Sequence, residues 1–227
     1  MLKFIDLQIK RKETLLIQSF NCELQSGALL VLTGANGAGK STLLKTLVGL
    51  LPIVNGEILI EQRSLKNYNS TERSHTLAYI NSAKIEEAYI RIIDLVRLGR
   101  YPYLKVHNDN AKVEAAILNV LKELGIESIQ EKYLNEVSDG ELQKAAIARA
   151  LVQDTPILVM DEPTAFLDYP SKKTLFESLK NMAIEKNKII ICATHDVELA
   201  SQYGTQFWHL ENGVISVSDK SMAWSSI

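Results

Sequence analysis

The stretch Gly34-Ala35-Asn36-Gly37-Ala38-Gly39-Lys40-Ser41-Thr42 constrains this chain more than any other. It follows residues 28–33, a continuous apolar run of the kind buried on both faces of a parallel sheet. It opens a predicted helix over residues 41–51, which Pro52 would stop. Strand, glycine-rich turn and helix are the context that the pattern GxxxxGK[ST] requires. Glycines at 34, 37 and 39 let backbone N–H groups turn inward around phosphate oxygens, and the helix N-terminus adds its positive end. Asn36, Ala38 and Thr42 complete the cradle. Lys40 supplies a point charge for the β- and γ-phosphates, and the Ser41 hydroxyl is a magnesium ligand.

A second buried run, residues 157–160, leads straight into Asp161-Glu162. Acids at the end of such a strand sit at the edge of a parallel sheet, where ligands bind. Asp161 is expected to hold magnesium through its water shell, and Glu162 to polarise an attacking water.

Around these two features the patterns of strand and helix alternate. Strands are expected at 2–9, 15–24, 57–61, 76–80, 188–193, 206–210 and 214–217, with Asn55-Gly56 as a turn. Helices are expected at 171–186 and 196–203, and the stretch 85–133 reads as helical. Within it Val113, Ala116, Ile117, Val120, Leu121 and Leu124 share one stripe. The fold class that follows is α/β: a P-loop NTPase core with a mixed sheet, an N-terminal antiparallel β subdomain and an inserted α-helical subdomain. We expect one domain over 1–227, with 1–82 and 157–227 as the core and 83–156 as the helical insertion.

Charge removes other classes. Lys plus Arg number 25 against 27 Asp plus Glu, a net charge of −2, which lacks the footprint of a nonspecific nucleic-acid binder or a polybasic membrane-surface protein. No apolar run approaches the roughly 18–20 residues needed to span a bilayer. The first twelve residues lack a signal peptide's hydrophobic stretch, so a cytoplasmic location is expected. Cys22 and Cys192 sit in apolar stretches without a CxxC and read as reduced core thiols.

Between the two phosphate-site elements lies Val137-Ser138-Asp139-Gly140-Glu141-Leu142-Gln143, followed by an Ala-rich helical stretch. After Glu162 comes Pro163-Thr164-Ala165-Phe166-Leu167-Asp168, and about 30 residues on Ala193-Thr194-His195-Asp196. Taken in order, these motifs resemble the signature, D-loop and switch histidine of the ATP-binding-cassette (ABC) ATPases. The resemblance implies ATP and Mg2+ as cofactors and two cassettes stacked head to tail. Each ATP would lie on one subunit's phosphate loop and under the other's signature, with Ser138, Gly140 and Asp168 at that junction and His195 sensing the γ-phosphate. Ser138-x-x-Glu141 also reads as a capping box, and both roles can hold together.

Leu98-Gly99-Arg100-Tyr101-Pro102-Tyr103 and the run at 162–168 are similar to importers of iron–siderophore, haem or cobalamin. The resemblance implies integral-membrane permease subunits as partners, an extracytoplasmic substrate-binding protein acting indirectly, and a place on the inner face of the cell membrane. Residues 83–105 would dock the permease; in the competing reading Tyr101 and Tyr103 pack the insertion's own core. The alternative functions are a nucleotide-sensing module, an exporter's ATPase, or a mechanical ATPase acting on DNA or ribosomes. That last class usually has two cassettes or a coiled-coil insertion.

Three positions depart from the family pattern. Ser82, beside Asn81, stands where the family usually has a magnesium-contacting Gln. Asp139 replaces the first glycine after the signature serine. Arg11 aligns with the aromatic residue that usually stacks on adenine; its guanidinium can stack on a base, or it can form a basic hairpin tip with Lys10 and Lys12.

Overall fold

A computed structural model describes residues 1–11, 14–81, 89–104 and 110–219. The expectation for Ser82, and the parts of the docking segment at 83–88 and 105, lie outside the described residues. From the N-terminus the chain forms β1 (Leu2–Arg11), β2 (Thr14–Leu24), β3 (Leu29–Gly34), α1 (Lys40–Leu47), β4 (Asn55–Ile60), β5 (Arg63–Ser64), α2 (Ser70–Thr76) and β6 (Leu77–Ile80). A helical block follows: α3 (Ile92–Arg97), a 3-10 segment (Leu98–Tyr103), α4 (Asn110–Glu123) and α5 (Asp139–Val152). The chain then returns through β7 (Ile157–Asp161), α6 (Tyr169–Glu185), β8 (Ile189–Ala193), α7 (Val197–Tyr203), β9 (Gln206–Glu211) and β10 (Val214–Asp219).

Two sheets result. The smaller is antiparallel, in the order β2-β1-β4-β5. The larger runs β10-β9-β3-β8-β7-β6; all its pairs are parallel except β9 with β10, so the sheet is mixed as expected. The apolar runs are continuous because each strand of the larger sheet feeds two cores. Leu29 and Val31, Leu158 and Met160, and Ile190 and Cys192 face the helices. Leu30 and Leu32, Ile157 and Val159, and Ile189 and Ile191 face α1 and the antiparallel sheet. Trp208 of β9 closes the second core, edge-on to Phe4 and Phe20 with centroids 5.2 and 4.9 Å away. Cys22 is half-buried and Cys192 fully buried, both as free thiols.

Local departures from the sequence reading have identifiable causes. In β1 the buried set is Leu2, Phe4, Leu7 and Ile9; the change of parity falls at Asp6, φ 44°, beside register slips against β2 and β4. Asn55-Gly56 is not a turn but the start of β4. Gly56 presses so close to the Ile5 and Asp6 carbonyls that a Cβ there would overlap them. Helix α1 ends at Leu47, short of Pro52, because a reversal at Gly49 pairs Leu50 N–H with the Lys45 carbonyl at 2.8 Å. In α4, Ile117 and Leu121 are buried, whereas Ala116 is exposed although it shares their stripe.

The helical block does not form a core of its own. Ile92, Val96, Ile117, Leu121, Leu142 and Ile147 belong to the same apolar cluster as the helix-facing strand residues. Gly99 lets the 3-10 segment lie directly on α5, since a Cβ there would overlap the Arg149 carbonyl oxygen.

Candidate functional site

The C-terminal ends of β3, β7 and β8 come together at one edge of the larger sheet, because all three run parallel and in register. Each delivers one loop. After β3 the phosphate loop turns through Gly34, Gly37 and Gly39 at φ 145°, 79° and 114°, values that favour glycine. Gly39 caps α1 and contributes no side chain, so the first N–H groups of α1 remain available to a ligand. Lys40 is buried and folds back over the loop: its Nζ donates to the Gly34 carbonyl at 2.7 Å and the Ala35 carbonyl at 3.2 Å. An incoming phosphate exchanges those two neutral acceptors for charged ones, which are stronger partners for an ammonium.

Of the two acids, Asp161 ends β7 and Glu162 follows it. Asp161 is 1% exposed and its Oδ2 has no hydrogen-bond partner. A buried carboxylate oxygen left unpaired is costly unless a cation or donor completes it. The Ser41 hydroxyl lines the same cavity, so Ser41 and Asp161 fit magnesium, which takes few protein ligands and is otherwise held by water and phosphate. Glu162 adopts φ 51°, and its N–H donates to the Ala193 carbonyl at 2.9 Å. That turn lifts its side chain off the strand towards the third loop.

After β8 comes His195. Its backbone N–H donates to Glu162 Oε2 at 3.2 Å, and its Nε2 lies 3.2 Å from Glu162 Oε1. Burial pushes the Glu162 carboxyl above the ordinary carboxylate range, against the opposing pull of His195 and Lys40. A base whose proton affinity is raised towards working pH is better matched to taking a proton from water.

Asn36, Gly37, Gly39, Lys40, Ser41, Thr42, Asp161, Glu162 and His195, predicted from sequence, all line one cavity of about 170 Å³. Arg11 lines it too, and so does Leu16, which the sequence reading missed. Ser138, Gly140 and Asp168 stand apart from it. Ser138 caps α5 in a reciprocal capping box: Glu141 Oε2 accepts from the Ser138 N–H and Oγ–H, each at 2.8 Å. Asp139, exposed, occupies the first turn of α5, where a negative charge suits the helix dipole. Asp168 caps α6 by accepting from Ser171 N–H at 3.0 Å.

These outlying residues are tied back to the cavity by side chains that the sequence reading quoted within its motifs without giving them a role, and by Lys172, which it did not name. Gln143 of α5 is buried and donates to the Pro163 carbonyl at 2.9 Å. Thr164 donates to Asp196 Oδ2 at 2.5 Å and sits 3.3 Å from the Thr194 hydroxyl. Lys172 of α6 reaches Asp196 Oδ1 at 2.8 Å. Burial alone would raise the Asp196 carboxyl, but the bonds from Lys172 and Thr164 outweigh it and hold it low. Thr194 and Asp196 flank His195, so the network sets the path of the loop that carries it. Asp196→Asn keeps the shape and removes the charge. We expect kcat for ATP to fall about tenfold or more while KM moves less than about threefold, because orientation and not binding is lost. An unchanged kcat would show that the His195 loop holds its position without this network.

The ABC transporter family profile matches residues 17–165 of the chain. This chain belongs to the ABC transporter family. An uncharacterized ABC transporter ATP-binding protein of Methanocaldococcus jannaschii is 36% identical over 204 residues, covering 90% of this chain and 80% of the relative. The probable siderophore transport system ATP-binding protein YusV of Bacillus subtilis is 30% identical, over 84% of this chain and 70% of its own. Among solved structures, a dimeric ATP-binding cassette in a post-hydrolysis state with ADP and Pi superposes with a TM-score of 0.84. It is 22% identical and covers 97% of this chain and 99% of its own. As an ABC ATPase domain the chain binds ATP and hydrolyses it to ADP and phosphate.

Proposed function

We propose that this chain is the energy-coupling ATPase subunit of a membrane importer for iron–siderophore chelates, the class to which a relative's name points. The observation that carries the catalytic part is the gathering of Lys40, Ser41, Asp161, Glu162 and His195 around one cavity. In this reading Lys40 and the α1 N-terminus bind the β- and γ-phosphates. Glu162 orients water and takes its proton. His195 holds Glu162 and faces the γ-phosphate. Magnesium bound at Ser41 and Asp161 would neutralise charge on the phosphates. The work is done by a head-to-tail pair of identical subunits, in which Ser138, Gly140 and Asp168 complete the partner's site.

Among the described residues no helix is long and apolar enough to cross a membrane. In this reading the membrane path belongs to separate permease subunits. In this reading the chain sits on the cytoplasmic face of the membrane and meets an extracytoplasmic binding protein only through the permease. The docking surface is the exposed apolar side of the helical block: Leu98, Tyr101 and Leu104 are 53%, 69% and 73% exposed, and Tyr89 is 87% exposed.

Tyr103 plays a different part from Tyr101. It stacks on His75 at 4.5 Å and 14° between the rings, with the Arg100 guanidinium 4.2 Å over its ring. His75 Nε2 also lies 2.9 Å from the Pro102 carbonyl. Tyr103 therefore anchors the segment internally, and the expectation that both tyrosines dock divides. Tyr101→Ala should retain the wild-type melting temperature and basal ATPase yet lose the co-purifying permease. Tyr103→Ala should melt a few degrees lower, as loss of packed aromatic surface requires. Permease retained by Tyr101→Ala would reject the docking surface. Uptake of a ferric siderophore left unchanged by deletion of the chain would reject the cargo.

A further inference from the structure

Asp161 Oδ2, buried without a partner, has a counterpart on the neighbouring strand. The Tyr79 hydroxyl of β6 is also buried and also lacks a hydrogen-bond partner. Buried polar groups are seldom left so, because each forfeits its hydrogen bonds to water. One of these two is a donor and the other an acceptor. Among the described residues the other buried donors in that condition are Ser64 Oγ, Arg100 Nε and Trp208 Nε1. They lie on β5 of the other sheet, in the 3-10 segment and on β9, which β3 and β8 separate from β7.

Strands β6 and β7 pair in parallel, with Tyr79 opposite Val159 and Ile80 opposite Met160. Side chains alternate along a strand, so Tyr79, Val159 and Asp161 share one face. Val159 is buried in the core on that face, and Tyr79 packs against the same core. Asp161 stands two residues beyond Val159, about 7 Å further along the strand, a diagonal that a long aromatic side chain spans. Burial first, and the Asp161 charge second, push the pKa of the Tyr79 hydroxyl up, so it keeps its proton and remains a donor. Tyr79 does not line the phosphate-loop cavity.

We propose that Tyr79 positions the Asp161 carboxylate for magnesium: in the magnesium-bound site its hydroxyl donates to Oδ2, which fixes the rotation of the carboxylate and leaves the other oxygen for a water on the metal. This role rests on magnesium binding at Ser41 and Asp161. Tyr79 touches neither nucleotide nor metal and acts through Asp161.

The test is calorimetric titration of the full chain with the non-hydrolysable imido analogue of ATP, once with magnesium and once with EDTA. Tyr79→Phe removes the hydroxyl and keeps the ring. The gain in affinity that magnesium brings should shrink by about tenfold in this variant, the usual worth of a hydrogen bond to a charged group. Affinity in EDTA should match the wild type, and the melting temperature without nucleotide should stay within a few degrees of it. In an Asp161→Asn background Tyr79→Phe should change nothing further, since no carboxylate is left for it to orient. A gain that shrinks by less than about threefold overturns the proposal. So does an equal loss with and without magnesium, which would make Tyr79 a packing residue only. An effect that persists beside Asp161→Asn also overturns it, because Tyr79 would then act through another group. A wild-type affinity indifferent to magnesium would instead refute the magnesium site itself, and the proposal with it.

Discussion

Glu162→Gln should bind ATP about as tightly as the wild type and hydrolyse it roughly a hundredfold to ten-thousandfold more slowly, the usual cost of losing a positioned general base. The amide matches the carboxylate in shape. Its carbonyl oxygen can still accept from the His195 N–H, the bond now seen at 3.2 Å, so the loop after β8 has no reason to move. What disappears is the proton acceptor, whose affinity burial has raised in the native site. Lys40→Ala provides the contrast. The same cavity then lacks its buried cation, and ATP affinity itself should fall by an order of magnitude or more. Phosphate release and equilibrium nucleotide binding, measured on the same preparations, separate the two. Turnover by Glu162→Gln at the wild-type rate would remove Glu162 from the chemistry.

The second large effect concerns association. With ATP bound, Glu162→Gln should accumulate as a dimer in size-exclusion chromatography, and adding Ser138→Arg should return it to monomer. Ser138 and Asp139 are exposed and Gly140 is half-buried in the single chain, and they lie apart from the chain's own phosphate loop. A second copy can therefore place them over the bound nucleotide, with the α5 N-terminus facing its charge. The Ser138 hydroxyl now donates to Glu141 at 2.8 Å and has only one proton to give, so contact with phosphate requires it to turn away from that partner. Arginine fills the space the phosphate needs. It also removes the cap, at a cost of about 1 kcal/mol, which leaves the fold intact and is checked by the melting temperature. A dimer indifferent to Ser138→Arg would place the interface elsewhere.

Much of the site was legible because its chemistry is local. The phosphate loop, Asp161-Glu162 and Thr194-His195-Asp196 each occupy a strand end and the few residues after it. Apolar runs announce buried strands, and parallel pairing then brings their C-terminal ends to one edge. The capping box at Ser138 and Glu141 is likewise written within four residues. Leu16 and Lys172 left no such trace, and Gln143, though it stands in the signature stretch, gave no sign of its partner. Each acts across a long separation, and a leucine in a strand or a lysine on a helix is compatible with many neighbours.

The sequence by itself determined the main alternation of strands and helices, though neither β5 nor α2, and with it the phosphate cradle, the paired acids and the family, because backbone conformation and short-range chemistry depend on residue type and spacing. Tertiary structure alone decided several things that depend on what approaches from elsewhere in the chain. Gly56 sits in a strand because the bulge of β1 presses on it. Tyr103 is an internal anchor while Tyr101, two residues away, is free, because His75 and Arg100 close on only one of the two rings. Arg11 joins the phosphate-loop cavity because the antiparallel sheet carries the end of β1 to its mouth. Each of these outcomes is a contact between residues far apart in sequence, and such contacts exist only once the two sheets and the helical block have packed.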